Sequence, residues 1–364
     1  MLVQYKVKKM TVNTLEGILT ETIETKRLKT RVLQTKNKNG TPVLFIHGNA
    51  SSATFWEEIM LQLPEKYWGL APDLRGYGDA DTQKLVDATR GCDDWVDDII
   101  ALLDKLKIKK THICAHSLGG NVVWALLGSH PDRFLSVTQV NPGSPYGFGG
   151  TKDIAGNPTY SDFGCSGGGS VNPDFVKLMK EGDRSESNPQ ASPRVVMNSF
   201  YFKPPFKPAR EEDLLSSLIS EHVGEKQYPG DSTTSTNWPG VAPGKWGPIN
   251  ALSPKYLLSK AESFVDVQNK PKILWVRGSD DQIVSDNSFF DFGTLGKLGA
   301  VPGWPGEDIC PPQPMVSQTR SALEKYSQKG GSYTEVVIDG TGHSPYIEKP
   351  AEFNQHFHKF LAEN

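Results

Sequence analysis

The sequence predicts an α/β fold in which a mostly parallel central sheet is flanked by helices and interrupted by a large inserted cap. Three observations support this class: short apolar runs recur, amphipathic segments lie between them, and one long stretch lacks both patterns. The first three apolar runs are VLFIH at 43–47, WGLAP at 68–72 and THICA at 111–115. Because they are short and bounded by turn residues, they are typical of buried strands in a parallel sheet.

Helical segments separate these predicted strands. Residues 93–106 place Trp95, Ile99 and Leu103 on one side and acidic residues largely on the other, which predicts an amphipathic helix. The acidic start of this segment also suits the positive end of a helix dipole. Further strands are predicted at 135–140, 272–276 and 333–338, and a last amphipathic helix at 351–361.

The alternation of strands and helices breaks between residues 141 and 261. Gly, Pro, Ser and aromatic residues dominate this stretch, which is far longer than the roughly 15 residues that structureless loops in compact domains usually reach. We therefore predict a cap or lid at 141–261 between two parts of a core, at 1–140 and 262–364. A disordered linker is the alternative for parts of the cap, and a second, shorter insert is predicted at about 289–314.

Composition and charge exclude several classes of partner. The 364 residues include 39 basic and 42 acidic side chains, and a formal net charge of −3 is too weak to recruit nucleic acid or an anionic membrane. No apolar run approaches the roughly 20 residues that span a bilayer, and residues 1–10 lack the apolar core of a secretory signal. We therefore expect a cytoplasmic protein that acts on a small molecule, and the oligomeric state stays open.

The sequence predicts no metal and no cofactor. The four cysteines include no C-x-x-C pair, and acidic pairs such as Asp97 and Asp98 have no third ligand at a suitable spacing. Cys165 and Cys310 both lie in loop-like sequence, so a disulfide between them is an alternative to two free thiols.

The strongest chemical signal is AHSLGG at 115–120, directly after the apolar run THIC and before the helical run NVVWALLG. A serine at such a strand-to-helix turn is held on a tight bend that raises its hydroxyl above the sheet edge. Ser117 is therefore the candidate nucleophile. Ala115 replaces the first glycine of the usual G-x-S-x-G pattern, so a simple helix cap is the alternative.

A second loop, HGNASS at 47–52, follows the first apolar run. A carbonyl attacked by Ser117 would develop negative charge on its oxygen, and two backbone N–H groups must already face that oxygen. The amides of Asn49 and Leu118, one in each loop, are the candidate oxyanion hole. An ordinary turn followed by a helix cap is the alternative for residues 47–52.

Two further strand ends supply a candidate acid and a candidate base. RGSDDQIV at 277–284 follows the run KILWV, and either Asp280 or Asp281 could orient an imidazole. DGTGHSP at 339–345 follows the run YTEVVI, and His343 could accept and return the serine proton because histidine titrates near neutrality. For an isolated loop histidine, an exposed polar residue is the alternative.

With these motifs the chain resembles the α/β-hydrolase superfamily over residues 15–140 and 262–364. The resemblance implies the chain order nucleophile, acid and histidine, which Ser117, Asp281 and His343 follow. It also favours Asp281 over Asp280, because relatives carry an aspartate three residues after the glycine of this turn.

The loop HGNAS is similar to the corresponding loop of haloalkane dehalogenases. Those enzymes, like epoxide hydrolases of the same fold, attack with an aspartate where this chain has Ser117. The resemblance therefore implies an esterase, a lactonase or a carbon–carbon bond hydrolase rather than a dehalogenase or an epoxide hydrolase.

Aromatic residues are frequent in the predicted cap and offer a large contact area to an apolar ligand. Five residues are candidate substrate contacts, one beside the nucleophile, one after the second loop and three in the cap: His116, Trp56, Tyr146, Phe148 and Trp238. Most cap aromatics could equally form a core within the cap. Overall resemblance to serine-dependent macrolide esterases favours bulky esters or macrocyclic lactones as substrates.

Together these residues predict a two-step acyl transfer to a small-molecule ester substrate. His343 would deprotonate Ser117, the alkoxide would attack the ester carbonyl, and water would release the acid. A perhydrolase or acyltransferase and a carbon–carbon bond hydrolase are alternatives on the same triad. A ligand-binding sensor that keeps the fold without turnover is the non-enzymatic alternative.

Overall fold

The computed structural model describes residues 14–364, so the predictions for residues 1–13 lie outside the described part of the chain. Eight strands form the central sheet and two more form a small ribbon in the cap. The strands are β1 Ile18–Glu24, β2 Lys29–Thr35, β3 Thr41–Ile46, β4 Tyr67–Pro72, β5 Thr111–His116, β6 Phe134–Val140, β7 Ser232–Thr234, β8 Val241–Pro243, β9 Lys272–Gly278 and β10 Tyr333–Ile338.

The central sheet has the strand order β1-β2-β4-β3-β5-β6-β9-β10. β2 pairs antiparallel with both β1 and β4, whereas every neighbouring pair from β4 to β10 is parallel. The carboxyl ends of the parallel strands therefore meet at one edge of the sheet, and a crevice at that edge is where open α/β sheets bind ligands. The predicted α/β class with a mostly parallel sheet is confirmed.

Helices cover both faces of this sheet and build much of the cap. The α-helices in residues 14–364 are α1 Glu57–Leu61, α2 Asp93–Lys105, α3 Leu118–Ser129, α4 Pro173–Glu181, α5 Pro193–Val196, α6 Glu211–Ile219, α7 Pro248–Ala251, α8 Pro254–Leu257, α9 Phe292–Lys297, α10 Met315–Gln328, α11 Pro345–Glu348 and α12 Pro350–Ala362. A π-helical turn at Met197–Tyr201 directly follows α5.

Burial on both faces explains why the parallel strands are recognisable in the sequence. In β3, Val43 and Phe45 join the apolar cluster on one face, while Leu44 and Ile46 join the cluster on the other. A strand buried on both faces reads as a continuous apolar run. The edge strand β1 lacks such a run because most of its side chains are exposed, and the apolar pattern does not predict it.

The segment between β6 and β9 contains α4–α8, the π-helical turn and the ribbon of β7 and β8. We call residues 141–261 the cap segment; their division from the core as a domain stays a prediction. Cys165 of the cap segment and Cys310 of the second insert are buried free thiols whose sulfur atoms lie 3.5 Å apart.

A buried ion pair fixes the turns after β3 and β4 against each other. The Arg31 Nε donates to Asp73 Oδ2 over 2.8 Å, and the amides of Ala53 and Asp79 donate to the same carboxylate over 2.9 and 2.8 Å. Burial alone would raise the pKa of Asp73, but the Arg31 guanidinium holds it below the ordinary value. Because Ala53 directly follows the loop of Asn49, its bond to Asp73 helps to hold that loop in place.

Candidate active site

Ser117 lies on a strained turn between the last residue of β5 and the first residue of α3. Its φ of 55° and ψ of −122° are rare for a residue with a Cβ atom, so the surroundings must hold this backbone in place. Two glycines allow the close approach. A Cβ on Gly48 would lie 2.9 Å from the Ser117 Cβ, and a Cβ on Gly119 would lie 2.6 Å from the His47 carbonyl oxygen.

His343 and Asp281 are joined by a buried hydrogen bond. His343 Nδ1 lies 2.8 Å from Asp281 Oδ2, and the other oxygen of that carboxylate accepts from the amides of Ile283 and Val284 over 2.8 and 3.1 Å. An ionised carboxylate only accepts hydrogen bonds, so Nδ1 carries the proton and Nε2 keeps a free lone pair. This tautomer is the one that a general base needs.

The neighbouring aspartate faces away from the imidazole. Asp280 is partly exposed, forms an ion pair with Lys203 over 2.9 Å, and accepts from the Ser279 hydroxyl over 2.6 Å. The structure therefore places Asp281, rather than Asp280, against His343.

Two buried side chains tie the His343 loop to the strand ends beside Ser117. His116 Nε2 and Asn141 Nδ2 each lie 2.8 Å from the His343 carbonyl oxygen, and Asn141 Oδ1 accepts from the Gly278 amide over 3.1 Å. Burial lowers the pKa of His116 well below its ordinary value, so His116 is neutral and donates from Nε2. The rings of His116 and His343 are 4.5 Å apart between centroids.

The three candidate catalytic residues thus meet at the carboxyl edge of the sheet, with the acid and the base joined. Within residues 14–364, the Ser117 hydroxyl makes no hydrogen bond to the His343 imidazole. Catalytic hydrogen bonds are often long without substrate, so the Ser117–His343 contact stays a prediction.

The two candidate oxyanion donors occupy different structural settings. The Leu118 amide is at the first position of α3, where no intrahelical partner exists. In the described part of the chain the Asn49 amide has no hydrogen-bond partner, while the Asn49 side-chain oxygen accepts from the Tyr77 hydroxyl over 2.9 Å. Both amides are therefore available to an oxyanion.

Comparisons with known proteins agree with this architecture. The family model for the alpha/beta hydrolase fold matches residues 41–163. The solved structure of 2-hydroxy-6-oxo-6-phenylhexa-2,4-dienoate hydrolase from Rhodococcus sp. strain RHA1 superposes with a TM-score of 0.57 and 15% identity, covering 95% of this chain and 99% of that chain. The carboxylesterase CesB of Bacillus subtilis gives a TM-score of 0.56 with 13% identity over 95% of this chain and 92% of that chain. The chain has the α/β-hydrolase fold.

Curated relatives match shorter regions of the chain than these solved structures do. A 2-hydroxymuconate semialdehyde hydrolase of Pseudomonas sp. is 34% identical over 97 residues, which are 26% of this chain and 34% of that protein. Epoxide hydrolase 1 of Caenorhabditis elegans is 30% identical over 135 residues, which are 36% of this chain and 33% of that protein. The chain spans about a third of the length of these relatives.

The five candidate substrate contacts lie in different parts of the structure. Trp56 is fully buried in the core and stacks on Tyr346 with ring centroids 4.3 Å apart. Tyr146 is also buried, and its hydroxyl bonds Glu262. Both rings are covered by protein, and substrate contact by Trp56 and Tyr146 stays a prediction.

The other three candidates lie in different places. His116 contacts the His343 loop rather than open space, as described above. Phe148 is half-buried and packs against both apolar clusters of the core. Trp238 lies against the second insert, where its Nε1 donates to the Pro302 carbonyl over 2.8 Å. Substrate contact by Phe148 and Trp238 stays a prediction.

Sequence reasoning missed Glu348, a carboxyl that joins the cap segment to the His343 loop. Its two oxygens accept from the amides of Gly342 and Lys203, both over 2.7 Å. Burial outweighs these hydrogen bonds and raises the pKa of Glu348 from 4.5 to about 7. Glu348 is the last residue of α11. It lies five residues after His343, but this spacing indicates a contact only when the structure of the loop is known.

Asn141 was missed because it was counted as the first residue of the cap. A polar residue directly after the apolar strand β6 is a usable signal, since neighbouring parallel strands end at the same edge.

Among residues 14–364, no group of three or more His, Cys, Asp or Glu side chains is arranged to hold a metal ion. None of the helices described is both long and apolar enough to cross a membrane.

Proposed function

We propose that this α/β hydrolase is a serine hydrolase that cleaves carboxylic esters or lactones through an acyl-enzyme on Ser117. The observation that carries the proposal is the buried Asp281–His343 pair, 2.8 Å long, whose free Nε2 lies at the same sheet edge as a serine on a strained turn. The relatives include hydrolases, and the structural neighbours include a carboxylesterase.

The proposed reaction proceeds in two balanced steps. His343 Nε2 takes the proton of Ser117, and the serine oxygen bonds the ester carbon while the carbonyl oxygen becomes an oxyanion. The amides of Asn49 and Leu118 would hold that oxyanion. The oxyanion then collapses, the bond between the carbonyl carbon and the alkoxy oxygen breaks, and His343 gives the proton to the leaving alcohol. In the second step His343 deprotonates a water molecule, whose oxygen bonds the acyl carbon. The bond to the serine oxygen breaks, His343 returns the proton to Ser117, and the carboxylic acid leaves.

An exposed aromatic cluster supports bulky, apolar substrates. Phe200 of the cap segment lies 6.4 Å from Phe289 and 5.1 Å from Phe290, measured between ring centroids. Phe289 and Phe290 are 43% and 38% exposed, and the Phe289 amide bonds the Gln282 carbonyl next to Asp281. A contiguous apolar patch left in contact with water is typical of a binding surface. Macrocyclic lactones such as macrolides belong to the substrate class that we propose.

A carbon–carbon bond hydrolase is the second candidate. The observation in its favour is the 34% identity to a 2-hydroxymuconate semialdehyde hydrolase over 97 residues. That reaction class would use the same nucleophile and base, so the substrate decides between the two candidates.

The test compares wild type with Ser117→Ala on a panel of p-nitrophenyl esters, aryl and alkyl esters, macrocyclic lactones and a vinylogous 1,5-diketone. We expect ester or lactone hydrolysis that falls about 10⁴- to 10⁶-fold in the variant. Ser129→Ala is the matched control, because Ser129 is an exposed serine at the other end of α3. Mass spectrometry after treatment with a fluorophosphonate should locate the adduct on Ser117.

Other outcomes have distinct meanings. Cleavage of the diketone alone would favour the carbon–carbon bond hydrolase. Acyl transfer to an added alcohol or to hydrogen peroxide that outcompetes water would favour an acyltransferase or a perhydrolase. Binding of esters without turnover and without a Ser117 adduct would refute the proposal and favour a ligand-binding sensor.

A further inference from the structure

The peptide between Asn49 and Ala50 adjoins a second strained position of the site. Ala50 has a φ of 42°, in the left-handed region that a residue with a Cβ atom rarely adopts. Such a backbone persists only where the surrounding structure fixes it. The adjacent backbone N–H of Asn49 must keep a fixed direction in order to donate to an oxyanion, because donors that are already aligned stabilise the developing charge.

Tyr201 of the cap segment binds two carbonyl groups of this loop. The buried Tyr201 hydroxyl lies 3.1 Å from the Asn49 carbonyl oxygen and 3.2 Å from the Ala50 carbonyl oxygen, and it donates to them. Tyr201 is the last residue of the π-helical turn Met197–Tyr201, a rare geometry that is frequent at functional sites. From the core side, the Tyr77 hydroxyl holds the Asn49 side chain. The loop is thus fixed from two directions.

A second cap residue, Glu221, reaches the same loop with a buried carboxyl. Glu221 is 4% exposed, and the Ala50 amide and the Tyr77 hydroxyl face its carboxyl. Neither carboxyl oxygen has a well-aligned hydrogen bond within residues 14–364. Burial raises the pKa of Glu221 well above its ordinary value, which favours the neutral acid. A neutral acid does not oppose a nearby oxyanion.

We propose that Tyr201 and Glu221 are positioning residues through which the cap segment fixes the Asn49–Ala50 peptide and thereby the direction of the adjacent Asn49 N–H, the candidate oxyanion donor. The inference rests on the proposed function, because it concerns the same transition state. It adds that the oxyanion hole, which the core alone supplies in the simplest picture, is complete only when the cap segment is packed on the core.

The kinetic test compares Tyr201→Phe with Tyr326→Phe. Tyr326 is a matched control because its buried hydroxyl also donates to a backbone carbonyl, that of Pro271, over 2.6 Å and away from the site. We expect Tyr201→Phe to lower kcat about 10-fold with KM within about 2-fold, because a misplaced donor weakens the transition state more than the ground state. Tyr326→Phe should leave both constants within about 2-fold. Equal kcat in the two variants would overturn the inference.

Two further measurements separate positioning from general damage. A trifluoromethyl ketone adds to the serine oxygen and forms the oxyanion without turnover, so its affinity should fall about 10-fold in Tyr201→Phe. Ester binding to Ser117→Ala should be the same with and without Tyr201→Phe. A loss of ester affinity instead would show that Tyr201 shapes the pocket, which contradicts the inference.

Glu221 is tested with a conservative and a non-conservative variant. Glu221→Gln keeps a neutral hydrogen-bonding group of the same shape and should keep kcat within about 3-fold, whereas Glu221→Ala should lower kcat about 10-fold. An equal loss in both variants would show that an ionised carboxylate matters, and this would refute the positioning role. If wild type lacks Ser117-dependent hydrolysis, the proposed function fails; if wild type is active and Tyr201→Phe matches Tyr326→Phe, only this inference fails.

Discussion

The carboxyl edge of the sheet and the cap segment hold their residues in different ways. At the sheet edge, His343 is fixed through its backbone by His116 and Asn141 and through its ring by Asp281. In the cap segment, side-chain ion pairs such as Arg194 with Glu212 are common, and Glu212 is well exposed. Bonds to buried backbone resist displacement, whereas exposed ion pairs contribute little. We infer that the sheet edge carries the chemistry and the cap segment tunes it.

The largest expected effect lies at the sheet edge, in the contrast between two adjacent aspartates. Asp281→Asn should lower kcat about 10⁴-fold, because an amide can hold the wrong tautomer of His343. Asp280→Asn should change kcat less than about 3-fold, since Asp280 pairs with Lys203 near the surface. Steady-state kinetics on one activated ester checks both variants. A similar loss in both would show that the two carboxylates share the role.

The second prediction compares ion pairs of the core and the cap segment. Asp73→Ala removes the close partner of the buried Arg31 guanidinium, which keeps only the more exposed Asp79 at 3.8 Å, and should lower the free energy of unfolding by about 3 kcal/mol. Glu212→Ala removes an exposed partner of Arg194 and should cost less than about 1 kcal/mol. Urea unfolding followed by circular dichroism measures both values. Equal losses would contradict the distinction between the two regions.

The third prediction concerns pH at the contact between the two regions. The pKa of Glu348 is raised from 4.5 to about 7, so the stability that its protonated form contributes is present below pH 4.5 and lost as pH rises through about 7. Glu348→Gln cannot ionise. The stability of wild type relative to Glu348→Gln should therefore fall by about 1–2 kcal/mol between pH 5 and pH 9, allowing for solvent screening.

Thermal or urea unfolding of both proteins at several pH values gives this difference. A constant difference across the range would show that Glu348 does not titrate there. The hydrogen bond that glutamine cannot accept is lost at every pH, so it shifts the curve without changing its slope.

These contrasts match what the sequence could and could not predict. Most parallel strands were predicted because burial on both faces leaves continuous apolar runs, and Ser117 and Asp281 each follow such a run. His343 follows the edge strand β10, whose side chains are mostly partly buried or exposed. Their joint position follows from a parallel sheet, whose strands end at one edge. The Asp281–His343 pair fits that logic.

The cap segment did not allow the same reasoning. Tyr146 was expected to contact substrate and is buried, whereas Tyr201 was not among the five candidate contacts and binds the loop of Asn49. A segment of short helices and turns has no regular hydrophobic periodicity, so its sequence does not indicate which aromatic rings are buried. Contacts between Tyr201 and Asn49 join residues 152 positions apart, so only the packed structure reveals them.

The smallest expected effect concerns substrate choice at the aromatic cluster of Phe200, Phe289 and Phe290. Phe290→Ala should raise KM about 3- to 10-fold for a bulky ester or a macrocyclic lactone, because a side chain that is only partly buried by ligand loses about 1 kcal/mol of apolar contact. KM for p-nitrophenyl acetate should change less than about 2-fold, because so small a substrate offers little apolar surface to the cluster. Leu19→Ala on the edge strand β1 is the control, because Leu19 is as exposed, at 42%, and lies at the far edge of the sheet. If KM for both substrates rose together, Phe290 would contribute to the site itself and the aromatic cluster would not be separable from the chemistry.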